Sequence, residues 1–147
     1  MNKRDKGNFF ESIASEYLEN LDYKIIERNF YSKFGEIDII VLKDNRISAI
    51  EVKYRKNPLV SIFETIPYSK IKKIEKTLYF YLTKNKYQDK YDLGIDALLI
   101  EEKENKQEIH FIKNIQVNYW YFTFESLRHR FEWTLRLSKW EWIVTSF

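Results

Sequence analysis

Two carboxylates, Asp38 and Glu51, and an amine, Lys53, lie on two apolar segments joined by the polar turn Lys43-Asp44-Asn45-Arg46. Both segments, Gly35 to Leu42 and Ile47 to Lys53, are rich in β-branched residues, the composition of paired strands. With Asp44 and Asn45 as the turn centre, Asp38 falls directly opposite Glu51, a placement that puts Cβ atoms roughly 5 Å apart. Side chains alternate along a strand, so Glu51 and Lys53 share a face and Val52 points the other way. Two opposed anions repel, and partial burial penalises both unless a cation intervenes. Oxygen ligands suit magnesium or manganese, whereas a chain with no cysteine and only His110 and His129 is poorly equipped for zinc. A plainer reading is that Lys53 neutralises Glu51 at a sheet edge and nothing binds.

Ile37, Ile39, Val41, Ile50 and Val52 are expected on one face of this hairpin, and Ile40, Leu42 and Ala49 on the other. Apolar residues on both faces indicate central strands covered on two sides. Upstream, Asn8 to Leu21 has the period of an amphipathic helix, with Phe10, Ile13, Ala14, Tyr17, Leu18 and Leu21 on one stripe. Glu11 falls at the rim of that stripe and can look toward the sheet as a ligand or water holder. Asn8 followed by Glu11 also fits a capping box, which would assign Glu11 to the helix terminus.

Glu64 to Asn85 supplies a second helix opening near Pro67, with Ile71, Ile74, Leu78, Tyr81 and Leu82 as its buried stripe. Lys70, Lys72, Lys73 and Lys76 make it basic, as do Arg55 and Lys56 just beyond the acidic pair. A solvated helix face explains such lysines; a phosphate backbone would also reward them. Tyr23 to Asn29 is the expected first strand. Gly94 to Ile100 and Gln107 to Ile112 form a further pair, in which Asp96 interrupts an apolar run as a supporting site candidate, a partner for Lys70 or a cap for a backbone amide. The order is helix, three strands, helix, two strands, which makes one α+β domain.

The chain is long enough to bury a core, and its 44% hydrophobic content supports a globular protein. Formal net charge is only +3, so a nucleic-acid surface must be a local patch. Absence of cysteine excludes a disulfide framework, no apolar signal segment follows Met1, and no run reaches membrane-span length, so a cytoplasmic, membrane-free protein is expected.

Gly7, Glu11, the run Glu27-Arg28-Asn29-Phe30, Phe34-Gly35-Glu36-Ile37-Asp38, Ile50-Glu51-Val52-Lys53-Tyr54-Arg55 and Gly94-Ile95-Asp96 together resemble the YraN family of small bacterial proteins. That family is similar to archaeal Holliday junction resolvases and to the wider restriction-endonuclease-like nucleases of the PD-(D/E)XK type. Ile37-Asp38 stands here in place of the motif's proline-aspartate opening. The resemblance spans residues 4–117 and implies an α/β/α fold, a central mixed sheet flanked by helices. It also implies a magnesium- or manganese-dependent endonuclease acting on DNA, with branched or junction DNA as a substrate form. Asp38 and Glu51 become metal ligands and Lys53 the amine beside the attacking water. Glu11 matches the first-helix acid, and Lys70 a recurrent basic position. On the same reading Glu36 and Asp96 support the site, and Arg55, Lys56, Lys70 and Lys73 meet the phosphate backbone. A symmetric junction would require two sites and therefore a homodimer. The alternative is a module that binds DNA without cutting it.

Residues 118–147 lie beyond the resemblance and carry all four tryptophans. Their aromatic surface is expected to pack on the domain or on a second chain, because Glu125, Glu132 and Glu141 nearly cancel the charge of Arg128, Arg130, Arg136 and Lys139.

Overall fold

The computed structural model describes residues 2–56, 66–104 and 106–115. The C-terminal extension and its expected packing or dimer role lie outside the described residues, as do the 117/118 boundary and Glu64. Helix α1 (Lys3–Asn20) is followed by strands β1 (Lys24–Ser32), β2 (Gly35–Lys43) and β3 (Arg46–Lys56). Helix α2 (Tyr68–Lys84) then precedes β4 (Asp92–Lys103) and β5 (Lys106–Ile112). The element order is as expected from the sequence, with longer strands.

The five strands form one mixed sheet in chain order, antiparallel except where β4 runs parallel beside β3. Phe10, Ala14 and Leu18 of α1 pack on Ile39, Val41, Ile50, Leu98 and Ile100. Ile71, Ile74, Leu78 and Leu82 of α2 pack on Ile40, Ile47, Ala49 and Ala97. Neighbouring strand residues belong to opposite clusters, so one helix covers each face of the sheet, an α+β arrangement consistent with the restriction-endonuclease-like fold. Each fully buried leucine or isoleucine contributes roughly 1.5–3 kcal/mol of burial. None of the helices among the described residues is long and apolar enough to cross a membrane.

The β2–β3 register has Ile39 opposite Ile50 and Lys43 opposite Arg46, as the turn centre required. Asp44 and Asn45 both take left-handed backbone angles, φ 50° and 58°, the geometry of a two-residue hairpin turn whose twist matches its strands.

Two local expectations are corrected. Helix α1 starts at Lys3, not Asn8: the Asn2 side chain accepts the Asp5 N–H at 2.9 Å, so the Asn8–Glu11 capping box does not form and Gly7 sits inside the helix. An earlier cap was available, and one glycine costs a helix only about 1 kcal/mol. Ile37 packs with Ile40 against α2, not with Ile39 against α1. The cause lies opposite Asp38, where Asn29 adopts φ 52° within β1. Pairing stays in step across the kink, from Arg28 opposite Ile39 to Phe30 opposite Ile37. The faces nevertheless change: Arg28 reaches Ser12 of α1, whereas Phe30 and Ile37 join the α2 cluster.

Candidate metal and phosphodiester site

Asp38 occupies that kink, and its position decides its chemistry. Ladder pairing between β2 and β3 runs from the turn only as far as Ile39 and Ile50. Past this point the Asp38 carboxylate bridges the strands, with Oδ2 accepting the Val52 N–H at 2.8 Å. Burial, then the negative charge of Glu51, pushes Asp38 from the usual 3.8 up to about 7, against the lowering effects of the Val52 amide, Lys70 and Lys53. The two acids therefore sense each other across the strands.

Glu51 is 1% exposed. Lys53 Nζ lies 2.6 Å from its Oε1, and Lys70 Nζ lies 3.4 Å from its Oε2. Both contacts fall short of ideal hydrogen-bond alignment, so Glu51 is held by charge more than by directed donors. Lys70 also reaches Glu36 Oε1 at 3.5 Å. Burial draws the Lys70 ammonium down, but Glu51, Asp38 and Glu36 together outweigh it and raise its pKa above the ordinary lysine value. The first turn of α2 is thereby fastened to the sheet at the acidic pair. The Lys53–Glu51 contact of the plainer reading is present; by itself it leaves the lone pairs of Glu51 undirected.

Asp38, Glu51 and Lys53 thus lie together as the sequence pattern anticipates, and Lys70 and Glu36, also named from the sequence, join them through the Lys70 ion pairs. Glu11 is on α1 with Oε2 buried and lacking a hydrogen-bond partner. Among the described residues, no three acids or histidines form a ready-made metal cage. Arg55 and Lys56 extend β3 alongside Glu101 and Glu102 of β4. Lys73 is exposed one turn beyond Lys70.

Asp96 belongs to a different cluster. Fully buried, it receives Arg46 Nη2 at 2.9 Å and the Asn114 N–H at 2.8 Å on Oδ1, while Arg46 also donates to Asn114 Oδ1 at 2.6 Å. It caps a backbone amide, as one sequence reading allowed, but pairs with Arg46 and not Lys70. Gly94 makes this possible, since a Cβ there would lie 1.7 Å from the Arg46 guanidinium. Gly94 preceding Asp96 by two positions, on the same strand face, was the available signal; Arg46 and Asn114 are too distant in the chain to infer.

The acidic pair can accept a divalent cation. The buried oxygens of Glu51 lack aligned donors, Asp38 is penalised when ionised, and oxygen is the preferred donor of magnesium and manganese. The flanking lysines can meet phosphate oxygens.

Residues 10–100, which include Glu11, Asp38, Glu51, Lys53, Lys70 and Asp96, match the family model described as uncharacterised protein family UPF0102. A UPF0102 protein of Fusobacterium nucleatum is 44% identical over 116 residues, covering 78% of this chain and 93% of its own length. One from Helicobacter hepaticus is 44% identical over 104 residues, covering 71% of this chain and 91% of its own. Another from Campylobacter hominis is 42% identical over 107 residues, covering 73% and 89%. The chain belongs to the uncharacterised protein family UPF0102, the YraN family its motifs resemble.

Proposed function

We propose that this protein is a divalent-metal-dependent DNA endonuclease of the cytoplasm, with branched DNA as a substrate form. The observation that carries the reading is Glu51, buried beside Asp38 with neither carboxylate oxygen met by an aligned donor. A buried acid beside a half-buried one has no structural use for mutual repulsion, and a shared cation would offset it. Asp38 and Glu51 would hold magnesium or manganese, and Glu11 would support its water shell. Bound there, the ion would supply electrophilic polarisation of a phosphoryl oxygen and acidification of water.

The chain's own residues do the rest. The Val52 N–H holds Oδ2 of Asp38 in place beside Glu51, whose charge Asp38 senses. Lys53, tethered to Glu51, would offer its ammonium to the charge that accumulates on the phosphate during displacement. Lys70 secures α2 to the site through Glu36 and Glu51. With Lys73, Arg55 and Lys56 it would meet backbone phosphates, which orient a strand irrespective of its sequence. On a symmetric junction a homodimer would deliver two such sites.

One observation favours a second reading, a DNA-binding module that does not cut: two ammonium groups already counter the charge of Glu51. Labelled branched, duplex and single-stranded DNA, incubated with magnesium, manganese or chelator, separates the two. Cleavage by the wild type that requires metal, and its absence in Asp38→Asn, is expected. Metal-independent binding with no product from any substrate would leave only the module.

A further inference from the structure

The α2 surface beside the acidic pair continues into an aromatic cluster. Lys70, Lys73, Thr77, Phe80 and Lys84 recur every three or four residues, so they form one stripe of the helix. The β1–β2 turn lies against it. Gly35, at φ 153°, brings its backbone to the helix, where a Cβ would lie 3.4 Å from Lys73 Cβ, and Ser32 Oγ meets Thr77 Oγ1 at 3.3 Å. Further along, Phe34 packs edge-on against Phe80 with centroids 6.1 Å apart, and Phe80 lies over the buried Phe30 at 6.4 Å. Phe34 and Phe80 are each 38% exposed. Lys33 lies 5.1 Å from the centre of the Phe34 ring, and Lys84 lies 5.8 Å from that of Phe30.

We propose that Phe34 and Phe80 are a base-stacking platform for unpaired nucleotides, with Lys33, Lys73 and Lys84 taking the adjoining phosphates. This inference rests on the DNA reading of the Asp38–Glu51 site and specifies its substrate as DNA with a single-stranded segment. Charge selects the occupant. Residues 31–35 contain no acid, and α2 carries five lysines against Glu75 alone, which is paired with Lys72 at 2.8 Å. Exposed rings bounded by cations suit nucleobases, whose π faces stack while their phosphates meet ammonium groups. Geometry also suits a continuous strand. Lys70 and Phe80 are ten residues apart on one helix, a rise of about 15 Å, within reach of a few nucleotides from the acidic pair.

Binding of a labelled oligothymidine of about 16 nucleotides, compared with an abasic strand of equal length and charge in chelator, tests the platform. Wild type is expected to favour oligothymidine by about tenfold, the effect of a lost base–aromatic contact. Phe34→Ala combined with Phe80→Leu should remove that preference and keep the salt dependence. Phe34→Leu alone, a mild change at a half-exposed turn, should reduce it, and Phe34→Trp should retain it. Equal wild-type affinity for the two strands, or an undiminished preference in Phe34→Leu, would overturn the inference. So would a concentration-dependent dimer mass abolished by Phe34→Leu without change in DNA binding, which would make the patch a self-interface. Base-dependent binding without cleavage of any DNA would remove the nuclease reading alone. Metal-dependent cleavage with equal binding of the two strands would remove the platform alone.

Discussion

Replacing Asp38 with asparagine should stabilise the metal-free protein at neutral and alkaline pH while abolishing its chemistry. Asparagine Oδ1 can still accept the Val52 N–H, so the bridge between β2 and β3 is kept and only the charge is lost. Burial first, and Glu51 second, raise Asp38 from 3.8 to about 7, so the folded state binds this proton more tightly than the unfolded state. Folding is therefore favoured by protonation. The wild type carries no penalty from this group below about pH 4, loses stability as pH rises from 3.8 towards 7, and levels off above it. A difference of about three pH units at about 1.4 kcal/mol each sets a ceiling near 4 kcal/mol. Asp38 is only partly shielded from water, and solvent screening reduces the penalty, so about 2 kcal/mol is the expected gain. For a domain of this size that corresponds to about 5 °C in Tm. Thermal unfolding of wild type and Asp38→Asn in chelator at pH 4 and pH 8 measures it. The variant's advantage should be present at pH 8 and vanish at pH 4. An Asp38→Asn protein less stable than wild type at pH 8, or a pH-independent difference, would refute the electrostatic argument.

Lys53→Ala should abolish magnesium-dependent cleavage with circular dichroism unchanged, because the ammonium contacts Glu51 at a partly exposed position; a wild-type rate would remove Lys53 from the chemistry. Gly94→Ala should cost about 3 kcal/mol in denaturant unfolding, since the new Cβ displaces the Arg46 guanidinium and strands the buried Asp96 charge. A change under about 0.5 kcal/mol would mean that Asp96 keeps its partner. Lys70→Met should weaken binding of every DNA form by a similar factor and lower its salt dependence, as expected for a phosphate contact. A selective loss on one form would instead make Lys70 a substrate discriminator.

Local chemistry was legible in the sequence; departures from regularity were not. Asp44 and Asn45 tolerate left-handed angles, which makes a two-residue hairpin turn and sets the register carrying Asp38 and Glu51 together. Period-two alternation then put Lys53 beside Glu51. The same alternation failed at Ile37, because the left-handed Asn29 on the neighbouring strand turns both chains over within one residue. Nothing in the spacing of Asn29 distinguishes that role from an ordinary strand position. Apolar periodicity located α1, whereas its start depended on a choice between the caps Asn2 and Asn8, decided by the first. Lys70 was recognisable as a basic helix residue, but its reach to Glu51 and Glu36 depends on how α2 crosses the sheet, a long-range packing outcome. Asp96 shows the same limit: its partners are Arg46, fifty positions earlier, and Asn114, eighteen positions later.

Direct titration with manganese, followed by the loss of the free-ion electron paramagnetic resonance signal, tests whether the acidic pair holds a divalent cation. The account requires saturable binding by wild type that is lost in both Asp38→Asn and Glu51→Gln, with both variants folded. Undiminished binding in either variant, or no saturable binding by wild type, would contradict it.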